Sequence, residues 1–316
     1  MRGFCFPALL CMLLGTRSFQ AHFFSRCRLI EHPLVPPKRF LAYAVRPRVP
    51  VMASENLKKV RTMVAEVASK HGRKSPPEVL AVSKTKPAEM VKEVYEAGQR
   101  HFGENYVQEI LEKAPQLPSD IQWHMIGHLQ SNKCKSLLEI PNLYVIESVD
   151  SQKLADKIQN AASSMDRTVR VMLEVKTSDE DTKSGLSLET APDLAAHILK
   201  SCPNLIFCGL MTIAHPDPEK AEANFRDLSA LRDRLSDELG LPKEGEGSLE
   251  LSMGMSGDLE QAIAAGSSQV RIGTAIFGAR EYRNMKEKRV LDAQTPAEAV
   301  AQNGGVEPPQ SKPEGG

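Results

Sequence analysis

The feature of this sequence that most constrains its fold is a regular alternation of short apolar runs with amphipathic helical stretches. Apolar strands that alternate with helices predict a parallel sheet whose outer face the helices cover. Eight such units in about 200 residues predict an α/β fold, a single closed (β/α)₈ barrel of the TIM type. The runs are VLAVSK (79–84), HFGEN (101–105), QWHMIG (122–127), LYVIES (143–148), VRVMLEV (169–175), LIFCGLMTI (205–213), LELSMGM (249–255) and QVRIGTAIFG (269–278).

An open doubly wound sheet is the rival fold, but such a sheet usually has fewer units and a glycine-rich phosphate-binding turn after its first strand. That turn is absent from this sequence. An extra helix is predicted before the first strand, over residues 56–72, because apolar residues recur there at helical spacing and Gly72 follows them. The predicted apolar face consists of Leu57, Val60, Met63, Val64 and Val67.

The two ends of the chain differ from its centre in composition. Residues 1–50 contain eight basic side chains and one acidic side chain, and residues 3–15 are largely apolar. An arginine-rich segment with almost no acids fits a transit segment, so 1–51 is predicted to direct the protein to a mitochondrion or another organelle. The alternative is a cytoplasmic protein, since Met52 opens the sequence MASENLKKV like a start of its own.

Three segments are therefore expected: the leader 1–51, the barrel over 52–283 and a tail over 284–316. The tail is predicted to be disordered because it is polar and rich in Pro, Gly, Glu and Gln. Residues 51–316 carry 32 basic and 39 acidic side chains. This acidic balance argues against a nucleic-acid partner. No apolar run reaches the roughly 18 residues of a membrane span, so no membrane partner is expected.

The cysteines of the central segment are Cys134, Cys202 and Cys208, and they form no CxxC pair. They are predicted to be buried free thiols, with neither a metal site nor a disulfide framework. In a barrel, reactive groups lie where strands end, on the C-terminal face. The residues predicted at this mouth are Lys84, Asn105, His128, Thr212, the loop 252–256, Gly273 and Thr274.

Lys84 ends the first run, on the same strand parity as Leu80 and Val82. A lysine that points into a barrel mouth is partly desolvated, which lowers the pKa of its ammonium and allows it to form a Schiff base with a carbonyl compound. The alternative is a surface lysine at a strand end. From the sequence alone these two interpretations carry nearly equal weight.

The segments LSMGMSG (251–257) and RIGTAIFG (271–278) follow the seventh and eighth strands, where barrels commonly bind phosphate. Ser252, Ser256 and Thr274 offer hydroxyls, and Asp258 is expected to cap the next helix. The glycines could also serve only as turn formers. No GxxxxGK followed by Ser or Thr occurs, so a nucleotide P-loop is not indicated. A lysine and a phosphate cradle at one mouth suit an aldehyde phosphate, above all pyridoxal phosphate.

Five motifs resemble the pyridoxal phosphate homeostasis proteins, formerly called proline synthetase co-transcribed proteins. They are AVSKTKP (81–87), FGENYVQE (102–109), WHMIGHLQSNK (123–133), LSMGMSGD (251–258) and VRIGTAIFG (270–278). The resemblance covers about residues 56 to 282. It implies a barrel like the N-terminal domain of alanine racemase, with pyridoxal 5′-phosphate bound to Lys84 and with Lys86 as a nearby lysine that does not bind it.

The same resemblance implies that Arg271 faces the pyridine nitrogen of the cofactor and that Gly273 and Thr274 hold its phosphate. An arginine donates a hydrogen bond and keeps that nitrogen unprotonated, which makes the cofactor a weaker electron sink. Asn105 could reach the cofactor ring, or it could cap a helix. Lys183 could offer a second amine, although a solvated loop lysine is the alternative.

We therefore expect a protein that is not an enzyme, one that buffers pyridoxal phosphate and delivers it to apo-enzymes as a monomer or weak homodimer. The alternative is a racemase or lyase that uses the same site. Two-domain racemases add a C-terminal β domain that supplies a catalytic tyrosine, and no such domain is expected in the 38 residues after Gly278. Tyr106 is a weak candidate for a base, because it is expected to begin a helix. A third hypothesis is a scaffold for protein interactions. It would predict that the phosphate-binding residues of the loops had been lost, whereas they are intact in this sequence.

Overall fold

The structure is a computed structural model that describes residues 52–178 and 184–279. The leader 1–51, the tail 284–316 and Lys183 lie outside the described residues, so what the sequence predicts for them remains a prediction. Within the described residues, no helix combines the length and the apolar character that crossing a membrane requires.

Eight parallel strands pair in chain order, and the last pairs with the first, so the sheet closes into a barrel. The predicted (β/α)₈ fold is thereby confirmed, and each predicted apolar run overlaps one strand. The strands are β1 Glu78–Val82, β2 His101–Glu104, β3 Gln122–Met125, β4 Leu143–Val149, β5 Val169–Glu174, β6 Leu205–Met211, β7 Glu250–Ser252 and β8 Gln269–Ile272.

Among the α-helices within the described ranges, one precedes β1 and one lies in each interval between strands, as predicted, and a short last helix follows β8. They are α1 Ala53–Lys70, α2 Ala88–Glu96, α3 Val107–Lys113, α4 Cys134–Leu138, α5 Gln152–Ser164, α6 Ala191–Ser201, α7 Pro218–Leu239, α8 Leu259–Ala264 and α9 Thr274–Phe277. Short 3₁₀ turns cover Ala114–Gln116 and Ser131–Lys133.

The predicted apolar face of α1 was wrong at one position. Met63 is 39% exposed, whereas the buried residues are Ala53, Leu57, Val60, Val64 and Ala68. Ala53 and Ala68 at the two ends of the helix complete the buried face. The spacing of large apolar residues does not indicate these alanines. The helix ends before Gly72, whose φ of 64° lies in the left-handed region.

The eighth predicted run was also too long, because β8 ends at Ile272 and the chain then turns into α9. The N–H groups of Ile276 and Phe277 both donate to the carbonyl of Gly273. Ile276 and Phe277 are buried, and α9 packs against α1. Their apolar character therefore reflects packing between two helices rather than a longer strand.

Alternate residues of the strands fill the barrel. Leu80 and Val82 of β1 cluster with Ile126, apart from the larger core that joins the outer faces of the strands to the helices. Leu80 and Val82 therefore point into the barrel. Lys84 follows them at the same two-residue spacing, two residues beyond the end of the strand. The cysteines Cys134, Cys202 and Cys208 are buried and unpaired, as predicted.

Candidate functional site

The turn after β1 carries both lysines of the SKTKP motif. Lys84 is only 8% exposed, and Thr85 beside it has a φ of 63°, a conformation that residues other than glycine seldom adopt. The N–H of Thr85 donates to Glu109 Oε2 at 2.8 Å, which holds this turn. Lys86 Nζ donates to the carbonyl of Ala279 at 2.6 Å, so this ammonium binds the backbone that follows α9.

A buried ionic cluster lies behind the same turn. Lys113 Nζ donates to the Ser83 carbonyl at 2.9 Å, to Glu104 Oε1 at 2.7 Å and to Glu109 Oε2 at 2.5 Å. The hydroxyl of Ser83 donates to Glu104 at 2.7 Å. The Lys113 ammonium therefore ties the end of β2 and helix α3 to the backbone beside Lys84.

The charges of this cluster depend on one another. Although burial opposes it, attraction from Glu104 and Glu109 raises the pKa of Lys113. Burial raises the pKa of Glu104 above its ordinary value, against the attraction of Lys113. The sequence motifs do not predict this cluster. Its one local signal was Glu109 and Lys113, four residues apart on a predicted helix.

A cavity of about 360 Å³ opens at the C-terminal ends of the strands. This volume lies at the lower end of the range for small-molecule sites. Five of the seven predicted binding residues line it, from the ends of β1, β7 and β8: Lys84, Ser256, Arg271, Gly273 and Thr274. Barrel geometry explains this convergence, because parallel strands all end at the same face.

The loops after β7 and β8 present donors to this cavity. Within the described residues, the backbone N–H groups of Ser256, Gly257 and Thr274 have no protein acceptor. Ser256 and Thr274 are exposed, so their hydroxyls face the open mouth. A side chain at Gly273 would meet the Val82 carbonyl at 3.2 Å, which explains the need for glycine where the two strand ends approach. Hydroxyls and unengaged N–H groups are the donors that bind phosphate.

The predicted role of Asp258 as a helix cap was wrong. Asp258 precedes α8, but its side chain makes no capping hydrogen bond there. Asp258 Oδ1 instead accepts from the N–H of Met255 at 2.5 Å, which closes the loop that carries Ser256 and Gly257. Asp and Asn side chains commonly stabilise turns by such local hydrogen bonds, in competition with capping.

Arg271 forms part of the cavity wall and is 6% exposed. Its Nη1 donates to Ser252 Oγ at 2.9 Å, and its Nη2 donates to the Thr212 carbonyl at 2.7 Å. Burial lowers the pKa of Arg271, while Glu147, Asp258 and Glu174 raise it. An arginine pKa remains far above neutral under such shifts, so a fixed cation faces the cavity.

Two predicted binding residues do not line the cavity. Ser252 is fully buried as the last residue of β7, and its hydroxyl contacts Arg271 from behind. Asn105 is buried after β2, and its Oδ1 has no hydrogen-bond partner within the described part of the chain. Helix α3 begins after Tyr106 without a side-chain cap, so the alternative role of Asn105 as a cap was wrong.

His124 and His128, the two histidines of the motif WHMIGHLQSNK, lie in different environments. His124 is buried in the barrel, whereas the side chain of His128 is 53% exposed, 3.4 Å from Asp150.

Away from the mouth, Asp156, His197 and Cys202 form a group of potential metal ligands among the described residues. His197 is already hydrogen-bonded to Asp156 at 2.7 Å. Burial raises the pKa of the Cys202 thiol, which disfavours the thiolate that metals bind, so we assign no metal there.

The residues at the mouth suit an aldehyde phosphate. Two buried lysines, Lys84 and Lys86, one buried guanidinium and two loops with phosphate donors surround a cavity of ligand size. Asn105, whose buried Oδ1 has no hydrogen-bond partner within the described residues, does not line this cavity. The donor set therefore fits pyridoxal phosphate in the amine, the phosphate donors and the ring-nitrogen donor.

Comparison with known proteins gives an independent result. Residues 56–281 match the model of the alanine racemase N-terminal domain. The chain is 45% identical over 257 residues to the pyridoxal phosphate homeostasis protein of Bos taurus, covering 77% of this chain and 93% of that protein. It is 40% identical over 235 residues to the protein of the same name in Escherichia coli K12, covering 72% and 97%.

Two solved structures are also similar to this chain. The PipY protein of Synechococcus elongatus, solved with PLP bound, matches with a TM-score of 0.61 at 32% identity, covering 72% of this chain and all of that one. The alanine racemase of Clostridium difficile matches with a TM-score of 0.58 at 16% identity, covering 74% of this chain and 58% of that one. The second likeness concerns the fold alone. The relatives come from bacteria and from eukaryotes.

Proposed function

Because this chain belongs to the pyridoxal phosphate homeostasis protein family, we propose that it binds pyridoxal 5′-phosphate as a Schiff base on Lys84 and buffers and delivers the cofactor inside the cell. The observation that carries this proposal is the convergence of Lys84, Arg271 and the two phosphate-type loops on one cavity. The relatives' shared name and the PLP-bound PipY structure support the same function. We infer that residues 52–283 form the binding unit.

Each residue at the mouth has a separate task in this proposal. The Lys84 amine binds the aldehyde carbon. The hydroxyls of Ser256 and Thr274, with the nearby N–H groups, hold the phosphate. Arg271 donates to the ring nitrogen and keeps it unprotonated. Bound cofactor supplies an electrophilic carbon and an electron-withdrawing ring, and the arginine limits the second property.

Delivery is a better fit to this site than amino-acid chemistry. Racemisation needs two positioned acid or base groups, each worth roughly 10²–10⁴-fold. Lys84 can serve as one, but no tyrosine within the described residues lines the cavity. Tyr106 precedes α3, and the Tyr95 hydroxyl donates to Asp120. The exposed mouth at Ser256 and Thr274 also leaves the cofactor open to water and to other amines, which suits release.

The experiment that separates carrier from enzyme follows two reactions of the cofactor-loaded protein. One is exchange of the α-proton of L- and D-amino acids in deuterated water. The other is transfer of pyridoxal phosphate to an apo-enzyme, timed against the free compound. We expect transfer without exchange at enzyme-like rates. Rapid exchange that disappears in Tyr106→Phe would instead establish the alternative, a racemase or lyase.

Phosphate binding gives a quantitative prediction. Ser256→Ala or Thr274→Ala removes a hydroxyl that donates to a charged acceptor, a loss of about 1.5–3 kcal/mol. Affinity for pyridoxal phosphate, measured by titration, should fall roughly ten- to a hundredfold. Ser163→Ala, on the exposed side of α5, is the matched control and should bind normally. Equal affinity of the unmodified protein for phosphate-free pyridoxal would contradict the phosphate role of these loops.

We also propose that residues 1–51 act as an organellar targeting segment. Fusion of these residues to a fluorescent reporter should send the reporter to an organelle, because basic, acid-poor segments are read as transit signals. A reporter fused to residues 52–72 serves as the control and should remain cytoplasmic. A cytoplasmic location for both fusions would favour the alternative, in which translation starts at Met52.

A further inference from the structure

A row of buried polar side chains crosses the barrel interior, from the mouth to the opposite end. Arg271 Nη1 donates to Ser252 Oγ at 2.9 Å, and the Ser252 hydroxyl donates to Glu147 Oε2 at 2.6 Å. Glu147 Oε1 accepts from His124 Nδ1 at 2.6 Å, and His124 Nε2 is hydrogen-bonded to His101 Nδ1 at 2.9 Å. His101 is the first residue of β2 and is partly exposed at the far end.

Glu147 is the centre of this row. It is fully buried, and Gln269 Nε2 adds a third hydrogen bond to its carboxylate at 2.8 Å. Burial by itself would raise the pKa of Glu147, but His124 and Arg271 hold that pKa below its ordinary value. The carboxylate is therefore an anion inside the barrel. A buried charge needs a counter-charge, and Arg271 provides it through the Ser252 hydroxyl.

Several charged groups surround this pair. Glu147, Glu174 and Asp258 act on the Arg271 charge, and His124 acts on Glu147. Burial and the neighbouring His124 lower the pKa of His101 to about 4, so His101 is neutral at physiological pH. Among the hydrogen-bonded members of the row, Glu147 is thus the one anion that both anchors and balances the arginine.

We propose that Glu147 is a positioning residue for the cofactor, one that acts through Ser252 to fix the Arg271 guanidinium and to balance the charge that Arg271 presents to the cavity. This inference rests on the proposed binding of pyridoxal phosphate. With Nη1 held by Ser252 and Nη2 by the Thr212 carbonyl, the plane of the guanidinium is fixed. Arginine has five N–H donors, so others remain for the cavity.

The charges of Glu147 and Arg271 determine the direction in which Glu147→Gln should shift the pH titration of the bound cofactor. Glu147→Gln leaves the shape almost unchanged but removes the anion, so the Arg271 cation is unbalanced. Extra positive charge disfavours a proton on the imine nitrogen that joins Lys84 to the cofactor. The pH midpoint of the bound cofactor's absorption change should therefore fall by about one unit, the scale of one interaction between charges in a protein interior. Affinity should fall about tenfold or more, because Arg271 loses part of its anchor.

The test compares the unmodified protein with three variants by absorbance titration with pyridoxal phosphate and with pH. Glu147→Gln should shift the midpoint downward. Ser252→Ala breaks the bridge without removing a charge, so it should weaken binding with a smaller shift. The control is Glu250→Gln, because Glu250 pairs with Arg170 at the far end of the barrel, at 2.8 Å, and its loss should change neither quantity.

Circular dichroism and thermal unfolding identify variants that fail to fold. A folded Glu147→Gln protein with an unchanged midpoint would overturn the inference. If that variant does not fold, Ser252→Ala decides, since unchanged affinity in that variant would also overturn it. Failure of the unmodified protein to bind the cofactor is a different result, because it would contradict the proposed function itself.

Discussion

Replacement of Lys84 by alanine is expected to abolish the absorption band of bound pyridoxal phosphate and to lower its affinity roughly a hundredfold or more. The variant removes the amine proposed to bind the aldehyde and leaves only the hydrogen bonds from the phosphate loops and Arg271. Lys86 also lines the cavity, but its ammonium donates to the Ala279 carbonyl, so we expect it to form no Schiff base in place of Lys84. Titration followed by absorbance measures both effects.

Two further variants make this prediction specific. Lys84→Arg keeps a positive charge but cannot form a Schiff base, so the band should be lost while some phosphate attraction remains. Lys86→Ala should keep the band. Retention of a normal band in Lys84→Ala would show that another amine, that of Lys86 or Lys183, carries the cofactor.

Lys113→Met is expected to cost about 3–5 kcal/mol of unfolding free energy, the usual loss when one partner of a buried ion pair is removed. Glu104 is fully buried and would lose both the ammonium and its electrostatic balance. Glu109 and the Ser83 carbonyl would lose a donor as well. Because these contacts hold the turn at Thr85, weaker cofactor binding at Lys84 should accompany the loss, measured by denaturant unfolding and by titration.

Lys58→Met is the matched control, because Lys58 pairs with Glu55 on the exposed face of α1. Such surface pairs contribute roughly 0–1 kcal/mol. The double variant Lys113→Met with Glu104→Gln should recover part of the lost stability, since it removes the carboxylate that lost its partner. A Lys113→Met protein as stable as the Lys58→Met protein would show that the cluster does not stabilise the turn.

The barrel and most of its mouth could be predicted because both depend on local patterns. Apolar runs fix the strands, and the rule that parallel strands end at one face brings Lys84, Ser256 and Thr274 together. The rule does not distinguish the last residue of a strand from the residues of the loop that follows it. Ser252 is the last residue of β7 and points into the barrel, whereas Ser256 lies in the loop beyond and reaches the cavity.

The supporting residues could not be predicted in the same way. Glu147 lies in an apolar run of the sequence, and it meets Ser252 and Gln269 only because the closed sheet brings β4 opposite β7 and β8. Lys113 looks like an ordinary charge at the end of a short helix until the chain folds over it. Ion pairs and hydrogen bonds between distant segments leave no periodic signal in a sequence.

The most direct test of the central claim is the chemical location of the cofactor in the unmodified protein. The protein is incubated with pyridoxal phosphate, reduced with borohydride, digested and mapped by mass spectrometry. We expect a single pyridoxyl adduct on Lys84, in the peptide that contains SKTKP. An adduct on Lys86 or Lys183 in place of Lys84, or a protein with no adduct at all, would contradict it.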